Sequence, residues 1–240
     1  MKAIVTGHSR GLGKAIALEL LGRNVPVLGV SRTIASLSAH PLLTEVALDL
    51  SNTEALLRWT DGPDLKLFMA GADEVVLINN AGVVEPIGPL QRQNLASIAK
   101  AVQVNITAVL TLSAAVVQHC QGDQPLRIVH VSSGAARSPY PGWSVYCATK
   151  AALDMHAQAV AADHTKGLRI CSLAPGVIDT DMQGDIRASN MADFPNLARF
   201  QALKAQNQLQ TPEACAHALV NYTLGPTFGQ SAVADLRQVG

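Results

Sequence analysis

Tyr146 and Lys150 stand four residues apart in SVYCATKAAL, a stretch otherwise made almost entirely of small and apolar side chains. On a helix that spacing puts a phenol and an ammonium on one face. A neighbouring ammonium favours the phenolate and lowers a tyrosine pKa from about 10, toward the range where the hydroxyl can give or take a proton. Such pairs also arise as surface neighbours, so their company decides what they mean. Ser132 and Ser133 end the apolar run RIVHV, NNAG (Asn79 to Gly82) closes the run EVVLIN, and APG (Ala174 to Gly176) follows LRICSL. In open α/β sheets ligands bind outside the carboxyl ends of the strands, which puts these polar groups on one rim.

A second constellation suits phosphate. TGHSRGLG, Thr6 to Gly13, lies between an apolar run and a helical pattern. Glycines there permit a tight turn and close approach of a pyrophosphate, and the following helix offers its unpaired N–H groups to the anion. The spacing is T-G-x3-G-x-G, and glycine-rich turns also occur without ligands. The next apolar run, VPVLGV, ends in Ser31 and Arg32 where an NAD site usually carries an acid, and Arg10 sits inside the glycine turn. Guanidinium groups pair with phosphate oxygens in a bidentate way, which favours NADP(H) over NAD. A solvated loop position is the alternative for Arg32.

These groups need a scaffold to position them. KAIV, VPVLGV, TEVAL, EVVLIN, LRIVHV, LRICSL and SAVADL read as strands, and helical patterns such as GLGKAIALELL separate several of them. Continuous apolar runs fit strands covered on both faces. The fold expected is a single α/β domain over residues 1–240, a Rossmann-type doubly wound parallel sheet of about seven strands with helices on both faces. Leu90 to Gln121 can hold one long helix. Thr180 to Gln201 mixes Met, Phe, Pro, Gly and charges without periodicity, which suggests a substrate lid at about 180–210.

The 18 basic and 18 acidic residues balance, with a sequence pI near 7.0, so neither nucleic acid nor a membrane surface is an expected partner. The longest apolar run, around Ile106 to Val117, is short for a membrane span, and the N-terminus lacks the pattern of a signal peptide; the chain reads as cytoplasmic. Cys120, Cys147, Cys171 and Cys215 have no metal-ligand spacing, so no metal is expected and the thiols read as reduced.

In TGHSRGLG, NNAG, Asn105, Ser133, YCATK and PG, taken in order and at these separations, the sequence resembles the short-chain dehydrogenase/reductase family over essentially its whole length. The resemblance implies that Tyr146 is the general acid toward a substrate carbonyl and that Ser133 holds the carbonyl oxygen. Lys150 would lower the tyrosine pKa and bind the nicotinamide ribose, and Asn105 would anchor a water of the proton relay. It assigns Gly7, Ser9, Arg10, Gly11, Leu12 and Gly13 to the phosphates and adenosine ribose, and Arg32 to the 2′-phosphate. Asp49 and Leu50 would flank adenine, with Asn80, Ala81 and Gly82 beside the adenosine side. Pro175, Gly176, Ile178 and Thr180 would fix the nicotinamide end. A helix kink for Asn105, and a plain turn for Pro175 and Gly176, are the alternative uses of those residues.

GWSVYCATKAALDM, APGVIDTDMQ and FGQSAVADL are similar to the sepiapterin reductase and benzil reductase-like branch, which places Asp235 where a pterin's amino-pyrimidine ring would be anchored. A carboxylate can accept paired hydrogen bonds from such an edge. A strand-end carboxylate in an ordinary turn is the other reading of Asp235. The implied activity is NADPH-dependent reduction of a ketone or vicinal diketone. Reduction of a 3-oxoacyl thioester, another short-chain alcohol dehydrogenase activity, and non-catalytic NADP(H) sensing are the alternatives. Dimers or tetramers are implied, with the mostly apolar NITAVLTLSAAVV offering room for an interface.

Overall fold

The structure is a computed structural model, described for residues 1–34 and 40–239. Seven parallel strands form one sheet: β1 (Lys2–Thr6), β2 (Val27–Ser31), β3 (Leu43–Ala47), β4 (Val75–Asn79), β5 (Leu126–Val131), β6 (Leu168–Ala174) and β7 (Val233–Asp235). Their spatial order is β3-β2-β1-β4-β5-β6-β7. The order reverses beside β1, which opens a crevice between the carboxyl ends of β1 and β4. All seven apolar runs read as strands in the sequence lie in this sheet.

The continuous apolar character of the strands has a direct cause. Side chains alternate across the sheet, so each run is divided between two cores. Ala3, Val5, Val76, Ile78, Val129, Cys171 and Leu173 face one side. Ile4, Leu28, Val75, Leu77, Ile128 and Ile170 face the other.

The first side is covered by α1 (Gly11–Gly22) through Leu12, Ile16 and Leu20. The other is covered in part by α2 (Thr53–Asp61) and α3 (Pro63–Met69), through Leu56, Leu65 and Met69. The region expected to hold one long helix begins with a 3₁₀ turn, Leu90–Arg92. It continues as α4 (Leu95–Val102), a π-helical segment Gln103–Thr107, and α5 (Ala108–His119). Taken together, Leu95–His119 has the length and apolar character to cross a membrane, its most apolar 18-residue window having a mean hydropathy of 1.5, but half of that window is buried against the protein. α6 (Ser144–Ala162) packs beside it and buries Leu153 and Ala157.

After β6 the region without clear periodicity forms two short helices, α7 (Asp181–Ala188) and α8 (Leu197–Ala205). They carry a third apolar cluster, built on Ile186, Phe194, Leu197 and Phe200, which packs on Trp143 and Tyr146. The chain then returns through α9 (Pro212–Leu224), whose Leu219 and Val220 join the α1 side of the sheet.

Candidate active site

The glycine turn between β1 and α1 is held by backbone geometry. Gly7 has φ of +69°, a conformation that favours glycine. A Cβ on Gly13 would lie 2.2 Å from the Gly7 carbonyl oxygen and 2.4 Å from Asn80 Nδ2, so no side chain fits there. Thr6 Oγ1 accepts the N–H groups of both Asn80 and Ala81 at 3.0 Å, and Asn80 Nδ2 donates to the Thr6 carbonyl at 2.9 Å. These bonds stitch the end of β4 to the glycine turn. Thr6 is absent from the set expected on sequence grounds, although its place directly before Gly7 marks it.

Arg10 occupies the N-cap of α1 without a side-chain cap, and the first turn contains no acid. The leading N–H groups of the helix therefore meet no side-chain acceptor at the cap, and the helix dipole is uncompensated there by a carboxylate, as an anion site requires. The turn fits the pyrophosphate of a dinucleotide. Leu12 and Leu50 have buried side chains that belong to the two sheet cores, so only their backbones are available to a ligand. Ser9 is half-buried on the turn.

Arg10 and Arg32 are both exposed. Arg10 Nη1 pairs with Asp181 Oδ2 at 3.1 Å. The Asp49 carboxyl is held below its usual range, mainly by the Ser51 backbone N–H, with Arg32 and Lys100 adding their charges. The end of β2 thus offers one guanidinium and no acid of its own. His8, fully buried, reaches Glu45 on β3 at 2.7 Å. A Cβ on Gly29 would come within 2.5 Å of the His8 ring, so the glycine in β2 opens the slot that the imidazole fills.

Tyr146, Lys150 and Ser133 meet at the carboxyl end of β5. Lys150 Nζ donates to the Val131 carbonyl at 2.7 Å and lies 5.7 Å from the centre of the Tyr146 ring. Burial pushes the Tyr146 hydroxyl up to about 12, against the opposing effect of its hydrogen bond with the Ser133 side chain. Burial pulls Lys150 down to about 8, and the nearby Asp154 charge works against that. The direction for the tyrosine is opposite to the one expected from the sequence, because desolvation of the phenolate dominates. Ser133 Oγ also accepts from the Ala135 N–H at 3.1 Å as it caps the 3₁₀ turn Gly134–Ala136.

Asn105 lies in the π-helical segment, fully buried. Its Oδ1 accepts from the Val83 N–H at 2.9 Å, while Nδ2 donates to the Val83 carbonyl at 2.8 Å and to Thr149 Oγ1 at 3.1 Å. Both amide hydrogens are therefore committed to protein partners. Asn79 serves the core instead, joining Ser113 Oγ at 3.1 Å and His130 Nδ1 at 3.2 Å. Gly82 lies close against α6 and the π-helical segment: a Cβ there would be in van der Waals contact, 3.4 Å from Asn105 Oδ1 and 3.6 Å from Lys150 Nζ.

The segment after β6 closes the rim. Gly176 has φ of +90°, Cys215 Sγ contacts the Pro175 carbonyl oxygen at 3.7 Å, and Ile178 pairs with Gln210. Thr180 then faces the glycine turn, its Cγ2 lying 3.4 Å from where a Cβ on Gly11 would stand. The glycine turn, the β6 turn and the N-terminal part of α6 therefore converge on one rim.

Residues 1–191 match the short chain dehydrogenase family. A benzil reductase ((S)-benzoin forming) of Bacillus cereus is 34% identical over 246 residues, covering 96% of each chain. A sepiapterin reductase of Meriones unguiculatus is 33% identical, covering 97% of this chain and 94% of its own. The crystal structure of a short-chain dehydrogenase/reductase from Burkholderia vietnamiensis superposes with a TM-score of 0.72 at 45% identity, covering 100% and 98% of the two chains. The chain belongs to the short-chain dehydrogenase family. It is an oxidoreductase with a nicotinamide cofactor site, acting on CH–OH and C=O groups.

Within this short-chain dehydrogenase, two residues that GWSVYCATKAALDM contains, but that had no role assigned on sequence grounds, gather at the site. Asp154, four residues after Lys150 and one further turn along the same face, accepts from Ser132 Oγ and Ser172 Oγ at 2.7 Å each and from Arg137 Nε at 2.9 Å. It ties β5, β6 and the turn after Ser133 to α6. Trp143 stacks on Phe194 with ring centres 4.5 Å apart and meets the Tyr146 ring edge-on at 5.3 Å. Helical spacing could have located Asp154. Nothing in the local sequence pairs Trp143 with Phe194, fifty-one residues away.

Asp235 reaches the same rim at the end of β7, beside Ala174. Its carboxylate is already engaged: Oδ1 accepts Arg237 Nε at 2.8 Å and Oδ2 accepts Nη2 at 2.5 Å. The open acceptor pair that the resemblance implied is thus filled by the protein's own guanidinium.

Proposed function

We propose that the protein is an NADPH-dependent carbonyl reductase that acts on ketones or vicinal diketones carrying aromatic groups. The observation that carries this reading is the ring cluster at the general acid. Trp143 links Tyr146 to Phe194 and Phe200, with ring centres 4.5 to 5.4 Å apart. Phe194 and Phe200 come from the segment of α7 and α8, which would act as the lid. These rings are buried against one another, so a flat, apolar substrate face would meet them only as the α7–α8 segment opens, where aromatic contacts would add to area burial. The relatives named as benzil reductases support the same substrate class.

When bound, dihydronicotinamide supplies the hydride that the carbonyl carbon receives. Tyr146, held as the neutral phenol well above pH 7, is in the state required to donate its proton to the carbonyl oxygen. Ser133 would hold that oxygen before transfer, and the hydrogen bond between its side chain and the phenol keeps the two hydroxyls together. Lys150 would bind the nicotinamide ribose and stabilise the phenolate left after donation. Asn105 would keep Val83, beside Gly82, in place.

Arg32 with Arg10 would hold the 2′-phosphate, and the absence of an acid at the end of β2 supports NADPH over NADH. The test is NADPH oxidation against benzil, sepiapterin, a quinone and an acetoacetyl thioester. Benzil is expected to give the highest kcat/KM. NADPH binding without oxidation by any carbonyl would reject the reading, and preference for the thioester would reject the substrate class.

A further inference from the structure

The Asp235–Arg237 pair bears on which carbonyl compounds enter. Asp235 is 7% exposed, and Oδ1 also accepts the Arg237 backbone N–H at 3.0 Å. With the two side-chain bonds, the carboxylate meets Arg237 in a paired, charge-assisted geometry. The Arg237 side chain is 65% exposed, and its stem lies across the β6 turn, with Cδ 3.6 Å from where a Cβ on Gly176 would stand. On the inner side Arg137, from the turn that follows Ser133, donates to the Ala234 carbonyl at 3.0 Å. Asp235 therefore sits one strand out from the β6 turn, joined to the Ser133 segment through Arg137.

A substrate with a guanidine-like edge, such as an amino-pyrimidine, needs two parallel acceptors on one carboxylate. Arg237 uses that same arrangement. It has two advantages over such a ligand: it carries a full positive charge, which strengthens each bond, and it is tethered two residues away. A site free only a fraction of the time weakens apparent affinity by that fraction.

We propose that Arg237 is a specificity-determining residue: by occupying the paired edge of Asp235 it excludes carbonyl substrates recognised through an amino-pyrimidine edge and leaves the site to those without one. The proposal rests on the carbonyl reductase reading for its kinetic arm, whereas its binding arm stands apart.

The experiment uses the full chain with Arg237→Ala, Arg237→Lys and Arg237→Ala combined with Asp235→Asn. Sepiapterin is titrated into each protein with NADP⁺ present, followed by its fluorescence, and kcat/KM is measured for sepiapterin and benzil. Arg237→Ala should tighten sepiapterin binding about tenfold or more and raise the sepiapterin-to-benzil ratio of kcat/KM by a similar factor, as loss of a charged competitor implies. Arg237→Lys, which keeps the charge but loses the fork, should fall between wild type and Arg237→Ala. Adding Asp235→Asn should cancel the gain. Unchanged or weaker sepiapterin binding in Arg237→Ala, or a gain that survives Asp235→Asn, overturns the proposal. If Arg237→Ala fails to fold, an Arg237→Lys protein that binds sepiapterin no better than wild type overturns it. A wild-type protein that reduces no carbonyl removes the proposed function, while the titrations still decide the role of Arg237.

Discussion

The side-chain amide of Asn105 holds both backbone groups of Val83, accepting its N–H at 2.9 Å and donating to its carbonyl at 2.8 Å. This pairing works like one rung of a ladder between the π-helical segment and the loop after β4. Asn105 is thereby a positioning residue, because it fixes the loop that carries Gly82 relative to α6, to which Thr149 completes the link.

Asn105→Ala should therefore cost about 2 to 4 kcal/mol of stability, because two buried backbone groups lose their partners. Urea unfolding at pH 7 measures it, and a loss under about 1 kcal/mol would reject the clamp. Asn105→Asp should be no milder, since a carboxylate oxygen would then face the Val83 carbonyl.

Tyr146→Phe removes one hydroxyl and little else. Reduction of benzil should fall by about 10² to 10⁴, the usual contribution of a positioned acid, while the melting midpoint stays within a few degrees. Turnover within tenfold of wild type would show that another group donates the proton.

Arg32 gives the cofactor prediction. Arg32→Ala should weaken NADPH by about 10- to 100-fold, the range for a charge-assisted bond to phosphate, and leave NADH nearly unaffected. Tryptophan fluorescence titration with both cofactors reads the difference. An equal loss for both would move the 2′-phosphate contact elsewhere.

His130 predicts the acid limb of stability. It is fully buried between His156, at 3.0 Å, and Asn79, and burial pulls its pKa down to about 3, with His156 and Lys150 adding repulsion. A histidine that stays neutral in the fold but protonates when unfolded makes the unfolded chain the stronger proton binder between about pH 6.5 and 3. Stability should fall as pH drops through that window, by up to about 1.4 kcal/mol per pH unit from this group. Urea midpoints from pH 7 to 4 for wild type and His130→Gln check it; identical slopes would exclude His130 as the source.

Much of this was legible in the sequence because it rests on local rules. The apolar runs identified all seven strands, since strands buried on both faces need no polar alternation. TGHSRGLG identified its turn because Gly7 takes a positive φ and Gly13 leaves no room for a Cβ. The spacing of Tyr146 and Lys150 placed them on one helical face.

What the sequence determined by itself was the set of elements and the chemical groups at their carboxyl ends, because backbone conformation and periodicity are properties of neighbouring residues. The tertiary structure decided which groups are free. Burial, a matter of what packs from afar, moved Tyr146 up rather than down. Distant partners committed the Asn105 amide to Val83 and brought Phe194 onto Trp143. Asp235 and Arg237 are only two residues apart, yet their place beside the β6 turn depends on β7 pairing with β6, a contact between segments some sixty residues apart along the chain.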